Sequence, residues 1–325
     1  FDDGEGEDEL SNIEATFVRG NDSDFQMIYL YNPPKNPNAP INQWCKKMEK
    51  RDDCIHIHTD YRDVPVSWLG HALIASAEAM KRADEKMYRW VWLGQAVGVD
   101  ELIYYMFGDR HRKKPDPDRR YDRIYIGGDY GQQNATTFEA FGFDAYRKKF
   151  PGLGEYYHSG RETGKQKSPS EYAKDLVEFM NDLHEQYDNR VFYIFLDPSA
   201  KGLAEEVRRA TRAENLDYQV FLRDAENDVA LGISRVQKVL SFDIMTTSPK
   251  QEYAVSEFGT YEYDKKSIEK GKEVPVKEDD HCMDAIRYCV MGAWKRLKYW
   301  LPKDETEEID VCDISRKEVE DDEHL

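Results

Sequence analysis

The segment Val191-Phe192-Tyr193-Ile194-Phe195-Leu196-Asp197-Pro198 consists of six consecutive apolar residues that end at an acid and a proline. An unbroken apolar run places apolar side chains on both faces of a strand, which is typical of a strand buried inside an α/β sheet. We therefore predict a central strand over residues 191–196. Asp197 then lies at its carboxyl end, where sheets of this kind bind their ligands.

Strands and helices are predicted on both sides of this run. Ahead of it, short turns join three strands in the pattern of an antiparallel meander, and a helix with a capping-box start follows. These elements are residues 124–126, 136–143, 155–159 and 168–187. Beyond the run, helix and strand alternate over residues 203–210, 218–222, 233–240 and 280–298. This order of elements resembles that of an RNase H-like fold, and by this analogy the predicted fold class is α/β with a mixed sheet.

A charged segment divides the chain. Residues 110–120 read RHRKKPDPDRR, with two prolines and almost no apolar side chain, which is typical of a linker. We predict one domain over residues 1–110, a linker over 111–120 and the RNase H-like domain over 121–302. The first domain shows candidate strands at 28–31 and 54–58 and a helical pattern across 67–94, which indicates the later part of an α/β domain.

The net charge of −18 lies mostly at the two ends of the chain. Residues 1–10 hold six acids and no base, and the predicted acidic tail, 303–325, has a net charge of −8. The 292 residues between them sum to only −4, so a local basic groove for nucleic acid is compatible with the overall charge. The ends are expected to be solvated.

Composition excludes several classes of protein. Hydrophobic residues make up 40% of the 325 residues, which excludes wholesale disorder. The longest apolar runs span six residues, far below the roughly 20 that cross a bilayer. The five cysteines are scattered without a CxxC pair, so neither a disulfide framework nor a zinc site is expected, and a reducing cytoplasm fits best.

Four side chains are candidates for chemistry. Asp129 ends the first predicted strand after two glycines, as Asp197 ends the central one. His281 and Asp284 are three residues apart near the start of the last helix, and therefore share one helical face. Each acid alone could be a loop acid, and Asp280 could simply cap the helix. Together they favour a site.

Asp oxygens suit the hard cation Mg²⁺, and one imidazole extends the choice to Mn²⁺. Two such ions about 4 Å apart can activate water and stabilise the leaving oxygen of a phosphodiester. The sequence therefore predicts a two-metal phosphodiesterase centre. The carboxylates would repel one another without a cation, so metal binding and activity are expected to be coupled.

Three motifs in this domain resemble the nuclease domain of phage terminase large subunits. They are Gly128-Asp129-Tyr130-Gly131, Leu196-Asp197-Pro198-Ser199 and the stretch Asp279-Asp280-His281-Cys282-Met283-Asp284-Ala285-Ile286-Arg287-Tyr288. The resemblance implies that Asp129, Asp197 and Asp284 form the acidic metal-binding triad, with His281 as an accessory ligand. It also likens residues 257–263 to the segment before the last helix, and 265–277 to a hairpin.

The first 110 residues resemble the end of the ATPase domain of the same family, a P-loop fold of the RecA/ASCE type. Tyr31-Asn32-Pro33-Pro34 is similar to its coupling segment, and Asp2 and Asp3 to the end of a Walker B strand. No GxxxxGK[ST] loop occurs in the sequence, so there is no phosphate cradle. ATP is expected to act only in a complete motor, and this chain alone is not expected to hydrolyse it.

The resemblance implies an endonuclease that cuts concatemeric double-stranded DNA during viral packaging in the cytoplasm of the bacterial host. Portal protein and terminase small subunit are the implied partners, and no membrane is involved. Two other interpretations remain open. One is another RNase H-like nuclease, such as a resolvase or transposase, although Tyr31-Asn32-Pro33-Pro34 argues against it. The other is a non-enzymatic packaging or assembly module whose acids are incidental.

Overall fold

The structure is a computed structural model, and it describes residues 15–16, 26–37, 39–98, 102–131 and 135–302. Asp2, Asp3 and the predicted tail 303–325 lie outside the described residues. None of the helices within these ranges has the length and apolarity needed to cross a membrane.

A mixed sheet of six strands forms the centre of the fold. The strands are β1 (Arg123–Tyr130), β2 (Ala135–Phe143), β3 (Phe150–Ser159), β4 (Val191–Leu196), β5 (Gln219–Asp224) and β6 (Met245–Thr246), in the order β5-β4-β1-β2-β3-β6. The first three strands are antiparallel, whereas β4 pairs parallel with both β1 and β5. The predicted meander and the internal position of residues 191–196 are therefore confirmed.

The helices fill the connections. They are α1 (Pro40–Met48), α2 (Val66–Ala83), α3 (Glu85–Val91), α4 (Gly160–Thr163), α5 (Pro169–Tyr187), α6 (Lys201–Ala213), α7 (Val229–Ser241), α8 (Glu252–Phe258), α9 (Lys265–Glu269) and α10 (His281–Leu297). The capping box predicted before α5 is present, since the Ser168 side chain accepts the Glu171 N–H. The pattern across 67–94 forms α2 and α3, with α2 interrupted at Gly70, where φ is 75°.

Helices cover both faces of the sheet. Side chains alternate along β1, so Tyr125 enters one core and its neighbours Ile124 and Ile126 enter the other. The Tyr125 core is closed by α7, α8 and α10, and the opposite core by α5 and α6. The result is a three-layer α/β/α domain with α10 lying across the centre of one face.

Strand β1 and helix α10 touch through their backbones. A methyl group added at Gly127 would overlap the carbonyl of Ala285, so only glycine permits this approach. The first turn of α10 is consequently held beside the carboxyl end of β1, which ends in Asp129-Tyr130.

Two predictions for the first 110 residues are wrong. Residues 28–31 and 54–58 are not strands, and Ile28, Leu30, Ile55 and Ile57 are exposed. A short apolar run, as at 28–31, or an alternating one, as at 54–58, supplies a face for burial, but a strand also needs a neighbour to complete its hydrogen-bond ladder. Within the described ranges, no strand pairs with either segment.

The predicted boundary at residue 110 does not follow the packing. Ile103 and Tyr104 are fully buried in the core beneath α10, and the backbone N–H of Ile103 donates to the carbonyl of Tyr261. His111 is also buried, and Arg112 pairs with Thr247 next to β6. Residues 102–113 thus pack with the sheet, because their apolar side chains complete its core despite the charged sequence that follows.

Candidate functional site

Two of the predicted site residues lie at neighbouring strand ends. β1 and β4 run parallel, with Gly128 opposite Leu196, so the next residues, Asp129 and Asp197, reach the same edge of the sheet. This edge is where the carboxyl ends of parallel strands place ligand-binding side chains in α/β folds.

The start of α10 brings the third and fourth residues to this edge. His281 Nδ1 lies 2.8 Å from Asp129 Oδ2, so the helix and β1 are joined by a direct side-chain contact. Asp284 lies one turn further along α10, close enough to Asp129 to influence its charge. The structure therefore brings Asp129 and His281 together, with Asp284 beside them.

Asp284 is held by basic side chains. Arg287 Nη2 donates to Asp284 Oδ1 at 2.6 Å. The ammonium of Lys277 lies 3.6 Å from Asp284 Oδ2 and 3.4 Å from Asp280 Oδ2. These cations offset the negative charge that the acids concentrate here.

Asp197 is fixed by three donors. The backbone N–H of Ser199 donates to Oδ1 at 2.7 Å, the Tyr288 hydroxyl to Oδ2 at 2.7 Å, and the Asn227 amide to Oδ2 at 3.3 Å. Burial alone would raise the pKa of Asp197, but the hydrogen bonds from Ser199 and Tyr288 lower it overall. Asp197 is therefore ionised and oriented.

Asp129 and His281 have linked ionisation. Burial raises the pKa of Asp129, and the charges of Asp284 and Asp280 add to that rise, against the opposing hydrogen bond from His281. The same hydrogen bond raises the pKa of His281, although burial acts the other way. The pair therefore retains a proton more readily than either group would in water, because Asp129 is buried and the hydrogen bond favours protonated His281, with the neighbouring acids as smaller contributions.

Glu257 is a residue of the site region whose role the sequence analysis missed. It lies near the end of α8, and its Oε2 accepts the N–H groups of Cys282 at 2.8 Å and Met283 at 3.1 Å. Burial raises the pKa of Glu257 to about 8. The suggestion that Asp280 caps α10 is wrong: its backbone occupies the N-cap position, but its side chain makes no capping hydrogen bond because Glu257 takes the N–H groups of the first turn.

A second acid pair lies on the sheet behind this turn. Glu139 and Glu155 face each other across β2 and β3, and burial together with the charge of Glu155 raises the pKa of Glu139 well above its usual range. Glu139 also accepts a hydrogen bond from Gln251 at 2.7 Å, and Glu155 accepts the N–H groups of Tyr253 and Ala254. This pair anchors the start of α8, and through it Glu257.

The remaining predicted residue, Asn32, lies elsewhere. It is exposed in the extended segment before α1, where the neighbouring Pro33 carbonyl accepts a hydrogen bond from Trp90 Nε1. Among the described residues, Asn32 makes no hydrogen bond to the four residues at the sheet edge. The hairpin implied for 265–277 is only partly present, because Tyr263 pairs with Pro275 while its tip is the short helix α9.

Two family profiles match the sequence. The profile described as "Phage terminase large subunit" matches residues 5–95. The profile described as "Terminase RNAseH like domain" matches residues 129–291, and this second match alone spans half of the chain. The second match begins at Asp129 and includes His281 and Asp284.

Relatives agree with these profiles. The sequence is 29% identical over 154 residues to "Terminase, large subunit" of Bacillus phage SPP1, a match that covers 46% of this chain and 36% of that protein. The fold is similar to that of a large terminase from a thermophilic bacteriophage, with a TM-score of 0.69 and 28% identity, covering 87% of this chain and 65% of that one. An ADP complex of the same thermophilic phage protein gives the same TM-score, 0.69, at 29% identity.

The chain spans less than two thirds of the length of each of these relatives. The two profiles nevertheless match consecutive parts of it, an RNase H-like domain preceded by part of an ATPase domain. On these matches, the chain belongs to the phage terminase large subunit family.

Proposed function

We propose that the RNase H-like domain is a metal-dependent endonuclease that cuts double-stranded DNA during viral packaging. The observation that supports this most strongly is the meeting of Asp129, Asp197, His281 and Asp284 at one edge of the sheet, with His281 in contact with Asp129. Residues from two strands and one helix, far apart in sequence, reach this edge.

The donor set fits divalent cations. Three carboxylates and one imidazole, all partly withdrawn from water, match the ligand preferences of Mg²⁺ and Mn²⁺. Burial raises the pKa of Asp129, the charges of Asp284 and Asp280 add to that rise, and a bound cation would favour the ionised form. Asp129, Asp197, Asp284 and His281 would hold two ions, which when bound supply the Lewis-acid chemistry of phosphodiester hydrolysis.

The protein's own groups have distinct tasks in this proposal. The three donors to Asp197 and the guanidinium beside Asp284 orient those carboxylates before any cation arrives. The Asp129–His281 pair gives up its proton when cations bind. Lys277, with 63% of its side chain exposed, is placed to contact a DNA phosphate at the rim.

We further propose the wider role that family membership suggests. The DNA would be concatemeric, the partners would be the portal protein and the terminase small subunit, and the setting the cytoplasm of the bacterial host. ATP hydrolysis would belong to a complete motor, whose coupling segment would include Asn32.

Plasmid nicking tests the proposal. We expect cleavage of supercoiled DNA with Mn²⁺ or Mg²⁺ and none in EDTA. Asp129→Asn should be inactive, while the matched control Asp224→Asn, an exposed acid at the end of the neighbouring strand β5, should cut like the wild type. Equal cleavage in EDTA would contradict the metal mechanism. No cleavage together with no Mn²⁺ binding by calorimetry would favour an assembly module instead.

A further inference from the structure

We propose that Arg287 is a positioning residue that sets Asp284 directly and Asp197 through the side-chain amide of Asn227. The inference rests on the proposed function, since it concerns the carboxylates that would hold the metal ions. It concerns a side chain that binds neither metal nor DNA, and acts behind the site.

The guanidinium directs its hydrogen bonds toward the site. Arg287 is 1% exposed, and its Nη2 and Nη1 donate to Asp284 Oδ1 at 2.6 Å and Asn227 Oδ1 at 3.3 Å. Its Nε has no hydrogen-bond partner among the described residues. A buried cation costs free energy unless it is paired, so Asp284 is the ion-pair partner that keeps Arg287 in place.

Asn227 connects Arg287 to the second carboxylate, Asp197. A side-chain amide has one accepting end and one donating end. Because the guanidinium can only donate, it holds the Asn227 oxygen, which leaves the NH₂ group facing Asp197 Oδ2 at 3.3 Å. The Tyr288 hydroxyl also lies 3.3 Å from this oxygen, but it has one proton and makes its shorter contact with Asp197. Arg287 is thereby the dedicated donor that favours the amide end of Asn227 toward Asp197.

The fold makes room for this side chain. Helix α7 crosses α10 at Gly232, where a methyl group would overlap Cγ and Cδ of Arg287. On the other side, the guanidinium carbon lies 5.1 Å from the centre of the Tyr288 ring, and the Tyr288 hydroxyl donates to Asp197. Gly232 and Tyr288 therefore confine Arg287 to one path between the two carboxylates.

The planar guanidinium of Arg287, a fork with donors on both Nη1 and Nη2, is essential to this role. A lysine at position 287 would keep the positive charge, but its single ammonium could not place two donors in the fixed geometry of a guanidinium. The proposal thus predicts that charge alone is insufficient. Without the fork, Asp197 and Asp284 would have to be ordered by the incoming cations, which should weaken cation binding.

The test measures Mn²⁺ affinity by calorimetry and, separately, the Mn²⁺ concentration that gives half-maximal cleavage. We expect Arg287→Lys and Asn227→Ala each to weaken both by about tenfold, a typical effect for groups that orient metal ligands. The double variant should be no worse than Arg287→Lys alone, because both changes break one relay. Arg235→Lys is the matched control, since Arg235 stacks on Trp294 between the same two helices and should leave both values unchanged.

Each outcome decides the matter. Unchanged Mn²⁺ dependence in Asn227→Ala, or strictly additive losses in the double variant, would overturn the relay. Should Arg287→Lys fail to fold, Asn227→Ala still tests it, because Asn227 lies in an exposed loop. A wild type that binds Mn²⁺ but does not cut would refute the proposed function, while a loss of Mn²⁺ affinity in the variants would still support the positioning role. A wild type that does not bind Mn²⁺ overturns both.

Discussion

Nδ1 of His281 and Oδ2 of Asp129, 152 residues apart in sequence, lie 2.8 Å apart and join the first turn of α10 to the end of β1. The imidazole of His281 is neutral when it binds a metal, whereas the carboxylate of Asp129 is charged. Removing one or the other should therefore have different consequences, although both lie at the same edge of the sheet.

Asp129→Asn preserves the size of the side chain but removes the charge that offsets a divalent cation. We expect cleavage to fall by orders of magnitude with both Mg²⁺ and Mn²⁺. His281→Ala leaves the charge balance intact and removes a softer ligand, so it should retain some cleavage and change the preference between the two metals. Cleavage rates of both variants with each metal, and thermal melts to confirm folding, test this prediction. Wild-type cleavage by Asp129→Asn alongside an inactive His281→Ala would show that the roles are reversed.

Glu257 should make folding stability depend on pH. Burial raises its pKa from 4.5 to about 8, so the folded protein binds this proton more tightly than the unfolded chain does between those values. Stability associated with Glu257 is therefore complete below about pH 4.5 and is lost as the pH rises through about 8. Glu257→Gln keeps an acceptor oxygen for the α10 N–H groups but cannot ionise.

Urea unfolding at several pH values measures this effect. Glu257→Gln and the wild type should differ by less than about 1 kcal/mol near pH 5, and the variant should be more stable at pH 8 by about 4 kcal/mol. Control experiments can use Glu252→Gln, an exposed change in the same helix α8, which should not alter the slope. A difference that is constant across this range would contradict a buried, titrating Glu257.

Gly127→Ala should move α10 away from β1, and so part Asp129 from His281 and Asp284. The new methyl group would overlap the Ala285 carbonyl, and because this is backbone, α10 would have to shift as a whole. We expect a loss of about 3 kcal/mol in unfolding free energy, at the upper end of the cost of overpacking, together with loss of cleavage. Gly202→Ala is the control, since open space surrounds Gly202 in α6 and the change should be neutral or slightly stabilising.

ATP turnover by this chain should be at background. The sequence has no GxxxxGK[ST] loop, so no backbone cradle or lysine is available for the phosphates. Phosphate release from purified protein, with and without DNA, measures it. Turnover that co-purifies with the protein and disappears in Asn32→Ala would show that the first 110 residues do more than we infer.

The sequence was sufficient to predict five of the six strands, all but β6, and the edge of the sheet at which the candidate residues lie. An apolar run ending at Asp197, and a first strand ending at Asp129, are local patterns, and parallel pairing brings such ends together. The support behind the site could not be predicted in this way. Glu257 and Asn227 act through contacts with residues distant in sequence, and nothing in their immediate neighbours marks them.

The failed strand predictions have a different cause. Ile28 lies in a short apolar run and Ile55 in an alternating one, but strand pairing depends on which neighbours the fold provides. Residues 102–107 were misplaced for the opposite reason: the charged stretch after them suggested a boundary, while Ile103 and Tyr104 had already entered the next core.

The backbone contact between Gly127 and Ala285 makes one mechanical unit of the candidate residues. Because β1 and α10 touch without intervening side chains, Asp129, His281 and Asp284 must move as one body. Asp197 belongs to the same body, because it directly follows β4, which pairs with β1, and because the Tyr288 hydroxyl on α10 donates to it. Its other partner Asn227 lies in an exposed loop. Any adjustment of the site to a scissile phosphate would therefore come from that loop, against a fixed wall formed by β1, β4 and α10.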